Sequence, residues 1–339
     1  MIEVKKDNLT DFTLTTRLII KGAMQRGWLV YVLEIGSSHL YIDRGDGKKI
    51  HILGSILPTL RFATGVLVND KYLTCKLLED LGVRQLKTIK VSADNPSIAE
   101  LNNFLEIHPL VVVKPVDGAH GNGVTTNVTS LEQMQTAISF AKTYSKADMV
   151  IVQEQFTAET IFDLRILCMS GKFVAAIQRI PARVVGDGEL TVEQLIIKEN
   201  ARADRGEPYK EKYVKIDLNS ARTYLKEAIQ NIPQRNVVVQ VVGTANYGTG
   251  GELIDVTDDI PDWMKTEAEK VTNELHMPVV GIDYVTNKAP EKNGKRSEGD
   301  AYILEVNKGP SLCIHDQPHE GKNRKTVEKY LNMIAALSL

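Results

Sequence analysis

Two short segments in the last third of the chain constrain its folding most: Gly281-Ile282-Asp283-Tyr284-Val285 and Tyr302-Ile303-Leu304-Glu305-Val306-Asn307. Each is apolar enough for a buried strand, yet each carries an acid within the run. Side chains alternate across a strand, so Glu305 and Asn307 should share one face while Leu304 and Val306 point into the opposite layer. If 279–285 is the neighbouring strand, Asp283 joins them. Three oxygen donors would then converge on a hard site of the kind that holds Mg²⁺ through carboxylates and substrate phosphates. Taken alone, the pattern more often marks acids on a half-solvated strand face, so other segments must support it.

The rest of the chain alternates strands and helices, without repeats or low-complexity tracts. Apolar residues at helical spacing predict helices over 13–27, 71–81, 97–106, 191–199, 219–230, 262–275 and 323–337. Leu73, Leu77, Leu78 and Leu81 are expected on one face of the second. A further helix should start at Ser130, an N-cap with Gln133 three residues on. Strands are expected over 28–35, with a hairpin around 43–47, near 85–91, over 111–113, and then at 149–154, 164–169, 173–180, 237–242, 279–285 and 301–307. The charged segment Asn287–Asp300 reads as an exposed hairpin loop. A length of 339 residues allows about two domains, and the absence of a linker predicts that they pack closely.

Several function classes are disfavoured. Lys and Arg number 41 against 43 Asp and Glu, too balanced for an electrostatic grip on bulk nucleic acid or an anionic membrane. Cys75, Cys168 and Cys313 lack CxxC spacing, which argues against a disulfide framework or a thiolate zinc site. The N-terminus lacks the apolar core of a signal peptide, and no apolar run approaches 18 residues. The expectation is a cytoplasmic protein with neither nucleic-acid nor membrane partners. The histidines show no HExxH spacing and there is no GxSxG, so neither a catalytic zinc nor a serine nucleophile is indicated.

Other segments suggest nucleotide chemistry. Lys114 ends the strand of valines and is followed by Gly118-Ala119-His120-Gly121-Asn122-Gly123. Such glycines let backbone N–H groups approach phosphate oxygens while a lysine supplies a point charge; a plain hairpin turn beside a snorkelling lysine would look the same. The edge Glu154-Gln155-Phe156 can offer main-chain groups to an adenine, with Asp163 accepting from ribose hydroxyls. Arg179 and Arg183 flank Pro181, where a guanidinium could clamp a carboxylate or phosphate.

In order, these segments resemble the ATP-grasp ligase family, specifically the ATP-grasp portions of cyanophycin synthetase and of bifunctional glutamate–cysteine ligase/glutathione synthetase. The resemblance rests on Asn69-Asp70-Lys71, Val113-Lys114-Pro115 with the glycine loop, Asp163-Leu164-Arg165, and Arg179 through Gly188. It continues through Thr249-Gly250-Gly251, Ile254-Asp255-Val256-Thr257-Asp258, Gly281-Ile282-Asp283, Glu305-Val306-Asn307 and His315. It covers the chain from about residue 30 onward. Relatives often carry an Arg where this chain has Val242.

The implied fold is α+β: an ATP-grasp fold holding nucleotide between two α+β subdomains, preceded by a small N-terminal α/β unit. The implied boundaries are 1–68 for that unit, 69–153 for the lid subdomain and 154–339 for the metal-bearing subdomain. The implied activity is an ATP- and Mg²⁺-dependent carboxylate–amine ligase, forming an amide through an acyl phosphate on amino acid or small peptide substrates. Glycine addition to γ-glutamylcysteine is one alternative, and a non-catalytic ATP-binding regulator another. By motif matching, Asp283, Glu305 and Asn307 would ligate two Mg²⁺ ions, with Mn²⁺ as a substitute. Lys71, Lys114, Gly118, His120, Gly121, Gly123, Glu154, Gln155, Phe156 and Asp163 would hold ATP. Arg179 and Arg165 would contact the phosphate or acyl phosphate. Substrate contacts are expected from the first 70 residues and the loops at 119–123, 183–189 and 243–251. The chain has no room for the second catalytic module of either relative, so a stand-alone ligase is expected, with homo-oligomers common among such relatives.

Overall fold

The computed structural model describes residues 1–118, 121–297 and 299–338. The chain opens with strand β1 (Ile2–Glu3), helix α1 (Leu14–Gln25) and the strands β2 (Leu29–Val32), β3 (His39–Asp43) and β4 (Lys49–Leu53), which form a four-stranded antiparallel sheet in sequence order. Alternation is clean here: Leu40, Ile42, Ile50 and Ile52 are buried while their neighbours are not. That apolar face meets Ile19, Ile20 and Ala23 of α1.

Helices α2 (Phe62–Leu67) and α3 (Lys71–Asp80) lead into a second sheet. Its strands β5 (Thr88–Ser92), β6 (Val111–Pro115), β7 (Thr125–Val128) and β8 (Met149–Glu154) run antiparallel in the order β5-β8-β6-β7. One face of this sheet packs on α4 (Ile98–Ile107) and α5 (Leu131–Lys142) through Val111, Val113, Val150 and Val152. Lys114 and Gln153, one residue out of phase with those valines, therefore lie on the other face.

Two local expectations are refined. Of the four leucines on one face of α3, Leu78 is buried, Leu77 and Leu81 pack partly buried on the core and Leu73 is exposed, while Thr74 and Cys75 are buried beside Leu78, because the inward face must meet the polar side of β5 and β8 as well as an apolar core. Ser130 does cap α5 by accepting from Gln133 N, but the Gln133 side chain accepts from Thr129, one residue earlier than a reciprocal box requires.

The third and largest sheet contains β9 (Phe162–Met169) and β10 (Lys172–Ile180). An excursion follows, with β11 (Arg183–Val185), α6 (Val192–Asn200), the short parallel pair β12 (Arg205–Gly206) and β13 (Tyr213–Val214), α7 (Leu218–Leu225) and β14 (Val238–Gln240), which pairs with β11. The sheet resumes with β15 (Glu252–Asp255), and α8 (Asp262–Glu274) precedes β16 (Val279–Thr286) and β17 (Ala301–Asn307). The sheet order is β15-β10-β9-β16-β17, all antiparallel. Helices α9 (Cys313–Asp316) and α10 (Thr326–Ala336) close the chain.

The two faces of this sheet differ. Leu164, Ile166, Cys168, Val280, Ile282 and Tyr284 point into a core shared with Met264, Ala268 and Val271 of α8. The opposite face changes character along its length. At one end Leu167, Met169, Ala175 and Val279 join the core of the first unit and of α10, with Tyr330 and Leu331. At the other end the same face carries Asp163, Arg165, Arg179 and Asp283, and here it lines a cavity.

One sequence expectation on β17 fails. Pairing slips by one residue between Asp283↔Glu305 and Tyr284↔Ile303, a bulge that leaves Leu304 unopposed. Ile303 and Val306 both face the core as a result, and Leu304 lies beside Lys71, Thr74 and Cys75 of α3.

Candidate active site

The site is assembled by cross-strand register. Asp283 stands opposite both Glu305 on β17 and Arg165 on β9, and Asp163 stands opposite Arg179 on β10. Directly opposed residues share a face, so charges distant in the chain become neighbours. Arg165 grips Asp283 with two donors: Nε donates to Oδ1, and Nη2 donates to Oδ2 at 2.9 Å. Arg179 lies between two acids, with Nη2 3.1 Å from Asp283 Oδ2 and Nε donating to Asp163 Oδ1 at 2.6 Å. Burial alone would raise the Asp283 pKa, but the two guanidiniums outweigh it and hold the carboxyl below its usual range. Asp163 goes the other way: burial raises its pKa and Arg179 offsets this only in part.

From the β17 edge, Lys71 joins this charge cluster. Its Nζ is 3.6 Å from Glu305 Oε1 and also donates to Gly118 O, so one ammonium ties the metal-candidate acid to the glycine loop. Asp70 caps α3 by accepting from Leu73 N at 2.9 Å and pairs with Lys90 at 2.9 Å, which fixes the turn that presents Lys71. Lys114 Nζ donates to Gln153 Oε1 at 2.8 Å, and burial lowers its pKa. Gly121 lines the cavity. Gly123 has φ 72, and an added Cβ would fall 2.8 Å from Pro115 Cγ, so that turn admits only glycine. His120 lies outside the described residues.

The candidate adenine edge stands apart from the cavity. Glu154 Oε2 accepts from Lys87 N at 3.2 Å, and Gln155 exchanges hydrogen bonds with Asn127 at 2.7 and 2.8 Å. Phe156 meets Tyr302 edge-on at 5.7 Å, so the segment after β8 touches the third sheet. Arg183 leaves the site altogether and forks onto Glu252 at 2.8 and 2.7 Å. The loop 183–189, expected near substrate, does not line the cavity. Val242 is buried in the core of the excursion and does not line the cavity either.

The cavity measures about 570 Å³. Asp163, Arg165, Arg179, Asp283, Glu305 and Asn307 form its floor. Its walls come from Thr13, Thr15 and Thr16 at the start of α1, Ser38 and Ser55 of the first unit, the loop 244–247, and Gly309-Pro310-Ser311. The first 70 residues and the 243–251 loop, where substrate contacts are expected, both contribute to this lining. Tyr209 and residues 309–311 also line the cavity, and no motif in the sequence singles them out. A larger groove of about 670 Å³ lies by Lys76, Arg84 and His108, away from the converging charges.

The donor set suits a hard cation. Asp283 and Glu305 are in register, and Asn307, whose Nδ2 is buried and without a hydrogen-bond partner, shares their face; carboxylate and amide oxygens are the donor types a hard cation takes. Among the described residues no group of three His, Cys, Asp or Glu side chains is clustered for a metal; Asp283 is turned to the arginines, so cation binding requires exchange of those ion pairs. His315 on α9 is fully buried near Arg165 and Asp255, and neither ring nitrogen has a hydrogen-bond partner. Burial drops its pKa to about 3.

Residues 84–197 match the family model for the ATP-grasp domain of prokaryotic glutathione synthetase. The structure superposes on a bifunctional glutathione synthetase from Pasteurella multocida with a TM-score of 0.68 at 23% identity, covering 96% of this chain and 44% of that one. The chain is an ATP-grasp protein. Cyanophycin synthetase from Synechocystis sp. is 33% identical to this ATP-grasp chain over 289 residues, 82% of the chain and 32% of the relative. The glutathione biosynthesis bifunctional protein GshAB of Clostridium perfringens is 27% identical over 332 residues, 96% of the chain and 41% of the relative. The chain thus spans about a third of the length of the cyanophycin synthetases it matches. Among the described residues no helix is long and apolar enough to cross a membrane.

Proposed function

We propose that this ATP-grasp chain is an ADP-forming carboxylate–amine ligase acting on amino acid or small peptide substrates. The observation that carries the reading is the cavity floor. Two acids in register and an asparagine share one face with two guanidiniums, and Lys71 links one of those acids to the glycine loop.

The chemistry follows from that arrangement. A carboxylate is a poor electrophile, so it first attacks the γ-phosphorus of ATP. The bond from phosphorus to the bridging oxygen breaks, ADP leaves, and an acyl phosphate forms. An amine then attacks the acyl carbon, loses a proton and expels phosphate, forming the amide. Lys71 and Lys114 are suited to hold nucleotide phosphates as point charges. Arg179 and Arg165 can take the substrate carboxylate and then the acyl phosphate by bidentate donation. Asp283, Glu305 and Asn307 would hold Mg²⁺, which supplies charge neutralisation between phosphates. The glycine loop and the walls exclude water that would hydrolyse the intermediate.

We read 1–68, 69–153 and 154–339 as the working units, a division supported by the three larger sheets, which lie within 2–53, 88–154 and 162–307. The three cysteines are buried and unpaired, which supports a reducing, cytoplasmic compartment. The test is phosphate release from ATP and Mg²⁺ with pooled carboxylates and amines, against Asp283→Asn and Glu305→Gln controls. Substrate-dependent release lost in both variants is the expected result. Wild type releasing no more than the variants with any pair would overturn the ligase reading and leave a nucleotide-binding regulator.

A further inference from the structure

The cavity divides its polarity sharply. Every charged side chain lining it among the described residues belongs to the third sheet: Asp163, Arg165, Arg179, Asp283 and Glu305. The walls facing them present hydroxyls and amides. Five of these hydroxyls are held in place. Thr13 Oγ1 donates to Thr16 Oγ1 at 2.9 Å, Thr15 Oγ1 and Ser311 Oγ share a hydrogen bond at 3.0 Å, and Ser55 Oγ donates to Pro310 O at 2.7 Å. Thr16 and Ser55 are buried. These five hydroxyls are therefore oriented before any ligand arrives, and each keeps acceptor capacity for a ligand donor. The bonds from Thr15 and Ser55 also tie the first unit to the turn after β17, so this wall is rigid relative to the floor.

We propose that this cavity selects an amine substrate whose side chain is neutral and hydrogen-bonding, a hydroxyl or carboxamide, over one bearing a charge. The inference rests on the ligase reading and deepens it. A zwitterionic substrate has its charges at the reacting end, where Arg165, Arg179 and the floor carboxylates match them. The remainder of the substrate extends toward Thr16, Ser38, Ser55, Thr244 and Ser311. A carboxylate or guanidinium placed there would lose water without gaining a counter-ion, which is far costlier than burying a hydroxyl that finds partners. A wall built of donors and acceptors rewards a ligand that pairs with them and rejects one that cannot.

The test compares serine, threonine, asparagine and glutamine with aspartate, glutamate, arginine and lysine as acceptors. It reads phosphate release and product mass, and in parallel calorimetric binding of each amino acid to the protein loaded with Mg²⁺ and a non-hydrolysable ATP analogue. The neutral polar set is expected to exceed the charged set by about a hundredfold in kcat/KM and in affinity. Ser38 is only half-buried, so Ser38→Arg and Ser38→Asp should be tolerated, as thermal melting will check. They should shift preference toward acidic and basic acceptors respectively, each by about tenfold or more. A charged amino acid used or bound within tenfold of the best neutral one overturns the proposal, as does saturable binding by none of the eight. Turnover with charged acceptors alone would sink this inference and leave the ligase reading standing. Selective binding of neutral amino acids without any phosphate release would do the reverse.

Discussion

Replacing Asp283 with Asn tests the ion-pair floor in the simplest state, the metal-free protein. In that state three cations, Lys71, Arg165 and Arg179, meet three acids, Asp163, Asp283 and Glu305, through the contacts Lys71–Glu305, Arg165–Asp283, Arg179–Asp283 and Arg179–Asp163. The floor is balanced without a metal. Among the described residues, Asp283→Asn leaves Arg165 with no acid partner on the floor and Arg179 with Asp163 alone. Breaking a buried pair by removing one partner costs about 3–5 kcal/mol. Arg165 and Arg179 keep 13% and 17% side-chain exposure, so water screens part of the loss and about 2–3 kcal/mol is the expected destabilisation.

The assay is urea unfolding in EDTA, followed by tryptophan fluorescence in a Trp28→Phe background, so that the signal comes from Trp263, which packs against the core beneath the third sheet. At an m-value of roughly 2.5 kcal/mol/M, the midpoint should fall by roughly 1 M. The opposing argument is that three acids on one face repel one another and that neutralising one relieves strain. It predicts an unchanged or higher midpoint, and that result would refute the ion-pair account. A double-mutant cycle with Arg165→Met separates the pair from the site: a coupling near zero would mean that Asp283 is held by something other than Arg165.

Three further outcomes follow from single residues. His315 has its folded-state pKa near 3 against about 6.5 unfolded, so the unfolded chain binds the extra proton between those values. Its contribution is intact above about pH 6.5 and is lost as pH falls toward 3, by up to about 1.4 kcal/mol per unit. His319, lowered by burial, adds in the same direction. His315→Gln should flatten the fall in unfolding free energy between pH 6 and 4; an unchanged slope would place the titration elsewhere. A Cβ at Gly251 would sit 2.7 Å from Asn246 O and 2.9 Å from Ile180 O. Gly251→Ala should therefore displace the 244–247 wall and cost about 1–3 kcal/mol in urea unfolding, and a variant with wild-type stability would contradict that close approach. Lys114→Met should raise KM for ATP at least about tenfold while leaving KM for the amine unchanged; equal rises in both would mean that Lys114 shapes the whole cavity.

The floor was legible in sequence because acids within apolar runs are expensive unless paired or ligated, and because a hairpin brings Asp283 opposite Glu305 without further information. What the arginines do to Asp283 was not legible. Arg165 and Asp283 lie 118 residues apart in the chain and meet only because β9 and β16 pair in one particular register; a slip of β9 by one residue would turn Asp163 and Arg165 toward the α8 core. The bulge at Leu304 was equally hidden. Strict alternation predicts Leu304 and Val306 on one face, whereas the extra residue lets Ile303 and Val306 both reach the core.

The location of the site follows from a competition for one sheet face. Along β9 the residues of that face read Asp163, Arg165, Leu167, Met169, polar at one end and apolar at the other. Only the apolar end can lie under the first unit, because Phe12, Ile19 and Ile20 offer no partners for a guanidinium. The charged end must stay uncovered and satisfy itself, and it does so through the Arg165–Asp283–Arg179–Asp163 chain. The first unit then overhangs that end with the start of α1 and Ser38 and Ser55, turning an open face into a cavity. The same packing that stabilises the N-terminal unit thereby fixes which residues line the cavity. A substitution in the buried seam, such as Leu167→Ala, should loosen the first unit and change amine selectivity while leaving the Lys71–Glu305 contact at the β17 edge intact. Amine KM rising with ATP KM unchanged is the expected kinetic signature, and a parallel rise in both would show that the two ends of the face are not independent.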